Sequence, residues 1–315
     1  MANNRIIVRH GLSAKTRNTL SFFAYISPWL IGFALFTVVP LFMSLIYSFS
    51  SVTMVDASYE INFIGLKNYY RIFTEDATFQ QAILNTFIYT GIKVAVLVFI
   101  SLLVALLLNS KIPLKKVFRI LIYLPALIPV VSSSLMWKLF FGGPVTAGGG
   151  VKNIANFFLS YLGIAPVNFL GNTFSSLGTL IFIGVWSGLG PTMIIFLAAI
   201  QGVNQDVMEA CDLDGAGPVR KFMHVIIPTI MPVMFFVILT NVISSLQMYT
   251  EAKLLTSNSV STISSVIVGN AFDAGGGENP KALGYACAQG WIIFALTFVL
   301  TLIYVKTMNK SEKKG

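Results

Sequence analysis

The sequence predicts an all-α integral membrane protein with six transmembrane helices. Of its 315 residues, 56% are hydrophobic and only 10% are charged, whereas a soluble domain carries about 25% charged residues. Six apolar runs, at about 21–49, 83–109, 117–141, 178–202, 227–250 and 284–307, are long enough as helices to cross a hydrocarbon core of about 30 Å. Helices are expected because they close their backbone hydrogen bonds within one segment, and the short alternating segments of a membrane barrel are not seen.

The first apolar run follows a basic stretch that contains Arg5, Arg9, Lys15 and Arg17. A cleaved signal peptide has an apolar core of only about 7–15 residues, so we interpret this longer run as a retained first span. The predicted organisation is an N-terminal segment 1–20, a six-helix domain 21–310 and a tail 311–315.

Basic residues predict that both termini are cytosolic, because Lys and Arg concentrate on the inner side of membrane proteins. With that orientation the inner segments hold 14 of the 21 basic residues and the outer segments hold six, while Lys93 lies within the second span. The inner set is Arg5, Arg9, Lys15, Arg17, Lys111, Lys115, Lys116, Arg119, Arg220, Lys221, Lys306, Lys310, Lys313 and Lys314, and the outer set is Lys67, Arg71, Lys138, Lys152, Lys253 and Lys281. The net charge of +9 is therefore attributed to contact with anionic lipid rather than with nucleic acid.

Three outer segments, 50–82, 142–177 and 251–283, connect the spans. The first two are too long for simple turns, and the second is expected to form a surface helix over about 151–162. The third is rich in Ser, Thr and Gly and is expected to be a loop. These segments either receive a soluble binding protein or serve only as connectors.

The cytosolic loop 204–228 is predicted to contain two short helices. Asn204 is a suitable N-terminal cap, Gly215 a suitable stop, and Pro218 a suitable first residue of the second helix. Ile227-Pro228 is expected to mark the turn into the fifth span. Helices of about ten residues are marginal alone, so an apolar surface formed by Val207, Ala210, Leu213 and Phe222 is expected to pack on the protein's own spans or on a partner.

The same loop resembles the EAA loop of ABC importer permeases, whose pattern is E-A-A-x-x-D-G-A followed after five residues by F and then by P. The matching residues, which the resemblance implies couple the chain to an ATPase, are Glu209, Ala210, Asp214, Gly215, Ala216, Phe222 and Pro228. Two residues depart from the pattern, Cys211 at the second alanine and Ile227 before the proline. Both are small or apolar, so docking is expected to survive.

Further runs resemble the maltose-transporter-type (MalF-like) permeases of carbohydrate-uptake ABC importers. They are Ser27–Phe33 with Pro40, Phe63–Tyr69, Asn85-Thr86, Arg119–Pro125 with Pro129 and Trp137, and Gln201. The resemblance implies a type I importer fold in the cytoplasmic (inner) membrane of a prokaryote. It also implies a heterodimer with a second homologous permease, two cytosolic ATPase subunits and an extracytoplasmic solute-binding protein.

The resemblance further implies that this chain is a non-catalytic subunit without a cofactor, since ATP and Mg bind the ATPase. The chain itself has no G-x-x-x-x-G-K-[ST] run. The expected substrate is a sugar, with an oligosaccharide as the leading expectation. The alternatives are glycerol-phosphate or an acidic oligosaccharide within the same class, and an ion-coupled secondary transporter outside it.

Two spans carry candidate sugar contacts. The candidates are Ser187, Gly188, Pro191, Asn241, Ser244, Ser245 and Met248, with Tyr249, Asn270 and Trp291 as weaker ones. In the fourth span, Trp186–Pro191 is expected to interrupt the helix and line a cavity, unless its glycines serve tight packing. In the fifth span, residues 241, 245 and 248 share one helix face that either meets substrate or bonds a neighbouring helix. Lys93 snorkels, packs within the bundle or contacts substrate.

Signs of catalysis or metal binding are weak. His10 and His224 are isolated, and Cys211 and Cys287 are too few for a disulfide or metal framework. Asp212 and Asp214 belong to the cytosolic loop and are interpreted as turn or docking residues rather than as an acid–base pair.

Overall fold

The computed structural model describes residues 14–55, 58–110, 112–143, 152–256, 259–272 and 282–312. Within them, five helical segments are long and apolar enough to cross a membrane: Ser21–Ser48, Ala77–Asn109, Thr173–Gln201, Pro218–Leu246 and Leu283–Thr307. A sixth candidate is a bent pair, Lys115–Leu127 and Val130–Phe141. Each of the six predicted spans therefore has a helical counterpart.

The first span comprises helix α1 (Ala14–Phe33), a π-turn (Ala34–Val38) and helix α2 (Val39–Ser48). Helix α1 begins before residue 21, so the predicted boundary at residue 20 does not separate two structural units, and residues 1–13 lie outside the described part. An antiparallel hairpin follows, with β1 (Ser50–Val55) and β2 (Ser58–Phe63) in the register Ser50↔Phe63. The all-α prediction did not include this hairpin.

The second span is helix α4 (Ala77–Asn109), which follows the short helix α3 (Lys67–Thr74). The Asp76 side chain caps α4 by accepting a hydrogen bond from the Phe79 N–H at 2.8 Å. Asp76 also accepts a hydrogen bond from the Tyr285 hydroxyl at 2.7 Å. The outer end of the second span is thereby fixed to the last span.

The third predicted span is broken, which corrects the expectation of one continuous helix over 117–141. Helix α5 (Lys115–Tyr123) passes through a 3₁₀ turn (Leu124–Leu127) and then meets helix α6 (Val130–Phe141) at a bend of 94°. Ile128 is extended, with φ −78° and ψ 125°, as expected for a residue that precedes proline. Pro125 and Pro129 lack the N–H groups that would have continued the helix.

The fourth span, helix α8 (Thr173–Gln201), is continuous, so the predicted interruption at Trp186–Pro191 is wrong. Its glycines serve close packing instead. A Cβ at Gly190 would lie 2.6 Å from the Tyr123 Cα, and one at Gly188 would lie 3.1 Å from a Leu97 methyl group. Pro191 removes only one helix hydrogen bond, and the surrounding helices support the segment.

The fifth span is longer at its cytosolic end than predicted. Helix α10 (Pro218–Lys221) continues through a π-turn (Phe222–Ile226) into helix α11 (Ile227–Leu246). The expected turn at Ile227-Pro228 is therefore absent. The π-turn accommodates Pro228, which has no N–H to donate. Before this span, helix α9 (Gln205–Leu213) has the predicted boundaries, with Asn204 capping it and Gly215 at φ 70° after it.

The remaining elements lie mainly at the predicted outer side. Helix α7 (Ile154–Tyr161) confirms the expected surface helix in a slightly shorter form. Helices α12 (Thr250–Thr256) and α13 (Ile263–Phe272) occupy a segment that was expected to be a loop. They form because Ala252, Leu255 and Ile263 are buried. The last span is helix α14 (Leu283–Glu312), and residues 313–315 of the predicted tail lie outside the described part.

Helices α4 and α8 pack along each other at the centre, and α11 lies against both. Near the predicted cytosolic end they share a core with members from all three helices: Leu102, Ala105, Leu108, Met193, Phe196, Leu197, Ile200, Ile230 and Val237. This core holds the cytosolic ends together, and a polar cavity lies nearer the opposite end.

Candidate functional site

A polar cavity of about 650 Å³ lies between α4, α8, α11 and the start of α12. The residues that line it come from five helices, α4, α6, α8, α11 and α12, and from the turn before α12. They are Tyr89, Lys93, Val130, Gly184, Ser187, Gly188, Thr240, Asn241, Ile243, Ser244, Ser245, Gln247, Met248, Tyr249, Thr250 and Glu251. This lining combines hydroxyl, amide and charged groups with two tyrosine rings, which suits a ligand that has both hydroxyl groups and apolar faces.

The cavity brings together nearly all the predicted pathway residues. Ser187, Gly188, Asn241, Ser244, Ser245 and Met248 line it, as does the weaker candidate Tyr249. Pro191 does not belong to the lining. Asn270 and Trp291 bond elsewhere, Asn270 to the Gln289 side chain at 2.9 Å and Trp291 to the Ser44 hydroxyl at 3.2 Å.

Met248 reaches the cavity differently from the prediction. Asn241 and Ser245 lie on one face of α11, but this helix ends at Leu246 and Gln247 follows as its C-cap. Met248 therefore contributes from the turn before α12, where its N–H donates to the Ser245 carbonyl at 3.3 Å. The single helical face predicted for the three residues holds only for the first two.

Lys93 is a buried member of the cavity wall, with 6% of its surface exposed. Its Nζ donates hydrogen bonds to Asn241 Oδ1 at 3.1 Å and to Ser245 Oγ at 3.3 Å. The side chain thus turns into the bundle instead of snorkelling to the membrane surface. Packing within the bundle is thereby confirmed, and the side chain also lines the cavity, whereas contact with a substrate stays a prediction.

Four polar or charged lining residues were not predicted from the sequence: Tyr89, Thr240, Thr250 and Glu251. Tyr89 precedes Lys93 by four positions, so both lie on one face of α4, and this spacing was an available signal. Glu251 follows the fifth span directly and enters the cavity from the first turn of α12. Glu251 lines the cavity because the segment after α11 folds into α12. The hydrophobic periodicity of the sequence did not predict this helix.

The second candidate region is the segment 204–228. Glu209, Ala210, Asp214, Gly215 and Pro228 are exposed, Ala216 and Phe222 are half-buried, and Phe222 packs against the cytosolic core.

The apolar surface predicted for this segment divides into two parts. Phe222 faces inward, whereas Leu213 is 90% exposed and Val207 is also exposed. An ion pair between Lys221 and Asp212 joins the start of the fifth span to α9. Behind α9 lies a second cavity of about 450 Å³, whose lining includes Glu209, Met208 and Gln201.

The two regions are linked by continuous helix. Ser187 lines the polar cavity, and α8 runs on from it to Gln201, about 21 Å away at 1.5 Å per residue, immediately before α9. The fifth span makes a second connection of this kind. It runs from the π-turn that begins at Phe222 through α11 to Asn241 in the cavity wall. Two helices therefore run from the segment 204–228 to the polar cavity.

Comparison with known proteins agrees with this architecture. Residues 97–309 match the family described as "Binding-protein-dependent transport system inner membrane component". The chain is 30% identical to the probable ABC transporter permease protein YesP of Bacillus subtilis, over 93% of this chain and 92% of that protein. It is 32% identical to the arabinooligosaccharides transport system permease protein AraP of Halalkalibacterium halodurans, over 93% and 89%.

The fold is also found in a solved structure, that of a bacterial ABC transporter involved in the import of the acidic polysaccharide alginate. The TM-score is 0.79 at 21% sequence identity, over 94% of this chain and 97% of that chain. The predicted type I importer permease fold is thereby confirmed. This chain belongs to the family of inner membrane components of binding-protein-dependent transport systems.

Proposed function

We propose that this chain is the permease subunit through which a sugar, in the first instance an oligosaccharide, crosses the cytoplasmic membrane. The observation that carries the proposal is the polar cavity between α4, α8 and α11. Its Asn, Ser, Thr and Tyr side chains suit sugar hydroxyls, and its tyrosine and methionine surfaces suit the apolar faces of sugar rings. A relative named for arabinooligosaccharide transport supports the same substrate class.

The energy for transport comes, in this proposal, from two cytosolic ATPase subunits that bind ATP and Mg. Support comes from the segment 204–228, which exposes Leu213 and Val207. Large exposed apolar side chains on a short helix are typical of a docking surface. The same segment also exposes Glu209, Ala210, Asp214 and Gly215, which would contact the ATPase.

A second, homologous permease would complete the pathway, and an extracytoplasmic binding protein would deliver the sugar. The first span supports a partner of this kind, or lipid in its place, because it carries exposed aromatic side chains such as Tyr25, Trp29 and Phe36. A solved relative of the same fold is a bacterial alginate ABC transporter in complex with a periplasmic protein that carries an alginate pentasaccharide.

Coupling would then be mechanical. ATPase closure would move α9, and α8 and α11 would transmit that movement to the cavity through their unbroken helices. Such rigid-body motion of packed elements is a common form of switching in proteins. The Lys221–Asp212 ion pair would help α9 and the fifth span move together.

Reconstitution tests the proposal directly. The chain, its partner permease and the ATPase are placed in vesicles with the binding protein, and uptake of labelled oligosaccharide is measured. We expect uptake only when ATP and the binding protein are both present. Uptake by this chain alone, driven by an ion gradient, would contradict the proposal. A complex carrying Glu209→Ala together with Gly215→Val serves as the uncoupled control.

A further inference from the structure

Among the described residues that line the polar cavity, Lys93 is a buried cation whose hydrogen bonds are incomplete. Lys93 lies about 24 Å along α4 from Ala77, at 1.5 Å per residue, and is therefore deep within the second span. Its ammonium group has three N–H donors. Two of them go to Asn241 and Ser245, and the structure records no acceptor for the third among the residues it describes.

The hydrogen-bond partners of Lys93 are uncharged. Asn241 donates its own Nδ2 to the Val237 carbonyl at 3.0 Å, and this bond orients the Asn241 Oδ1 toward Lys93. No carboxylate lies within 4.0 Å of the Lys93 Nζ in the described part of the chain. A buried ammonium whose hydrogen-bond acceptors are all neutral needs a further acceptor for its third N–H, and the cavity is the side from which one can enter.

The described lining also includes an acid, Glu251, in the first turn of α12. Its carboxylate makes no hydrogen bond or ion pair with any residue that the structure describes. Lys93 and Glu251 are the two charged groups among the described lining residues. They share one cavity without a direct ion pair, so the lining that the structure describes has no net formal charge. It offers hydrogen-bond donors at Lys93 and acceptors at Glu251.

We propose that Lys93 and Glu251 are specificity-determining residues that together select an uncharged oligosaccharide. Hydroxyl groups both donate and accept, so one neutral sugar satisfies the free N–H of Lys93 and the free oxygens of Glu251. An acidic sugar also meets Lys93 but is repelled by Glu251. The inference deepens the sugar-permease function proposed above and rests on it.

The test measures sugar binding to the whole importer in nanodiscs, without the binding protein, so that the readout reports on the membrane subunits. The probes are two neutral trimers, maltotriose and arabinotriose, and one acidic trimer, trigalacturonate. Saturation-transfer NMR measures the affinity of the complex for each of them. We expect the native complex to bind a neutral trimer at least about tenfold more tightly than trigalacturonate, since like charges in contact are strongly unfavourable.

Variants separate the two roles. Lys93→Met should weaken neutral binding by about tenfold or more, the usual effect of losing a charged hydrogen bond. Glu251→Gln should improve trigalacturonate binding by about tenfold relative to the neutral trimers. Ser101→Ala is the matched control, because Ser101 is a buried polar residue of the same helix outside the cavity, and it should leave all three affinities unchanged.

Each outcome decides something. Tighter binding of trigalacturonate than of neutral trimers by the native complex, or affinities unchanged within twofold in both variants, overturns the inference. An importer that takes up sugar in vesicles but binds none of the trimers overturns it too, and leaves the proposed function intact. Failure of the native importer to take up any sugar overturns the proposed function as well. If Lys93→Met does not assemble, Glu251→Gln still tests the discrimination, because it removes no hydrogen bond between described residues.

Discussion

Lys93 on α4 donates a hydrogen bond to Asn241 on α11 across 3.1 Å, and 148 positions of sequence separate the two residues. This bond joins the second and fifth spans at the wall of the polar cavity. Ser245, one helical turn further along α11, accepts a second bond from the same ammonium group. The position of Lys93 therefore depends on one face of α11.

Replacing Asn241 with Leu should weaken the contact between the second and fifth spans. The change removes the nearer acceptor of a buried ammonium, and hydrogen bonds to charged groups contribute about 1.5–3 kcal/mol. We expect a loss of stability of that size in thermal or denaturant unfolding of the purified complex.

A double-mutant cycle with Lys93→Met isolates the bond itself, because mutations at two residues in contact have non-additive effects on the free energy of unfolding. Asn241→Leu should be distinctly less harmful in the Lys93→Met background, in which no charge is left unpaired. Equal losses in both backgrounds would mean that Asn241 acts through packing with other residues.

The sequence predicted local features of this molecule more reliably than distant ones. Asn204 and Gly215 end α9 as expected, because capping and left-handed backbone depend on neighbouring residues only. The contact between Lys93 and Asn241 was not predicted, since periodicity describes one helix at a time. Both residues had been singled out separately, as an intramembrane charge and as a polar helix face.

Prolines and glycines inside the spans were less predictable than Gly215 and Pro218, which lie where they were expected. Pro129 breaks the third span, whereas Pro191 and Pro228 lie within continuous helices. The difference comes from tertiary packing and from the π-turn before Pro228, neither of which can be read from the residue itself. The short helices α12 and α13 were missed for a similar reason, because burial in the bundle stabilises them.

Gly190→Ala should destabilise the protein by about 1–3 kcal/mol, the usual effect of overpacking a core. A Cβ at this position would lie 2.6 Å from the Tyr123 Cα and 2.7 Å from the Ile122 carbonyl oxygen, and backbone atoms cannot move aside cheaply. Thermal unfolding of the purified chain measures the effect.

The matched control is Gly290→Ala in α14, where an added Cβ meets nothing within 4 Å. There the higher helix propensity of alanine should leave stability unchanged or raise it by up to about 1 kcal/mol. A Gly190→Ala protein as stable as the native one would show that α5 and α8 do not pack as closely as described.

Gly215→Ala should strain the end of α9. Gly215 has φ 70°, and a residue with a Cβ loses about 1–2 kcal/mol in this left-handed conformation. An added Cβ would meet nothing within 4 Å, so the effect comes from the backbone alone. We expect reduced ATPase stimulation by the loaded binding protein, with the amount of assembled complex little changed.

A variant with asparagine at position 215 distinguishes backbone strain from the loss of a close contact between the glycine and a partner. Asparagine tolerates the left-handed region better than alanine does. Gly215→Asn should therefore retain more of the stimulation than Gly215→Ala. The opposite order would show that the partner needs a bare backbone at this position.

Leu213→Asp should detach the ATPase without unfolding the chain. Leu213 is 90% exposed at the end of α9, so its replacement leaves the isolated permease nearly unaffected, as is usual for surface substitutions. In the complex the aspartate would lie in an apolar contact without a partner, which typically weakens an interface by about 2 kcal/mol or more. Co-purification of the ATPase with the tagged chain measures the loss. Phe174→Asp is the control, because Phe174 is 89% exposed at the opposite end of α8 and should leave ATPase attachment unchanged. Equal retention of the ATPase by both variants would mean that the exposed end of α9 is not the docking surface.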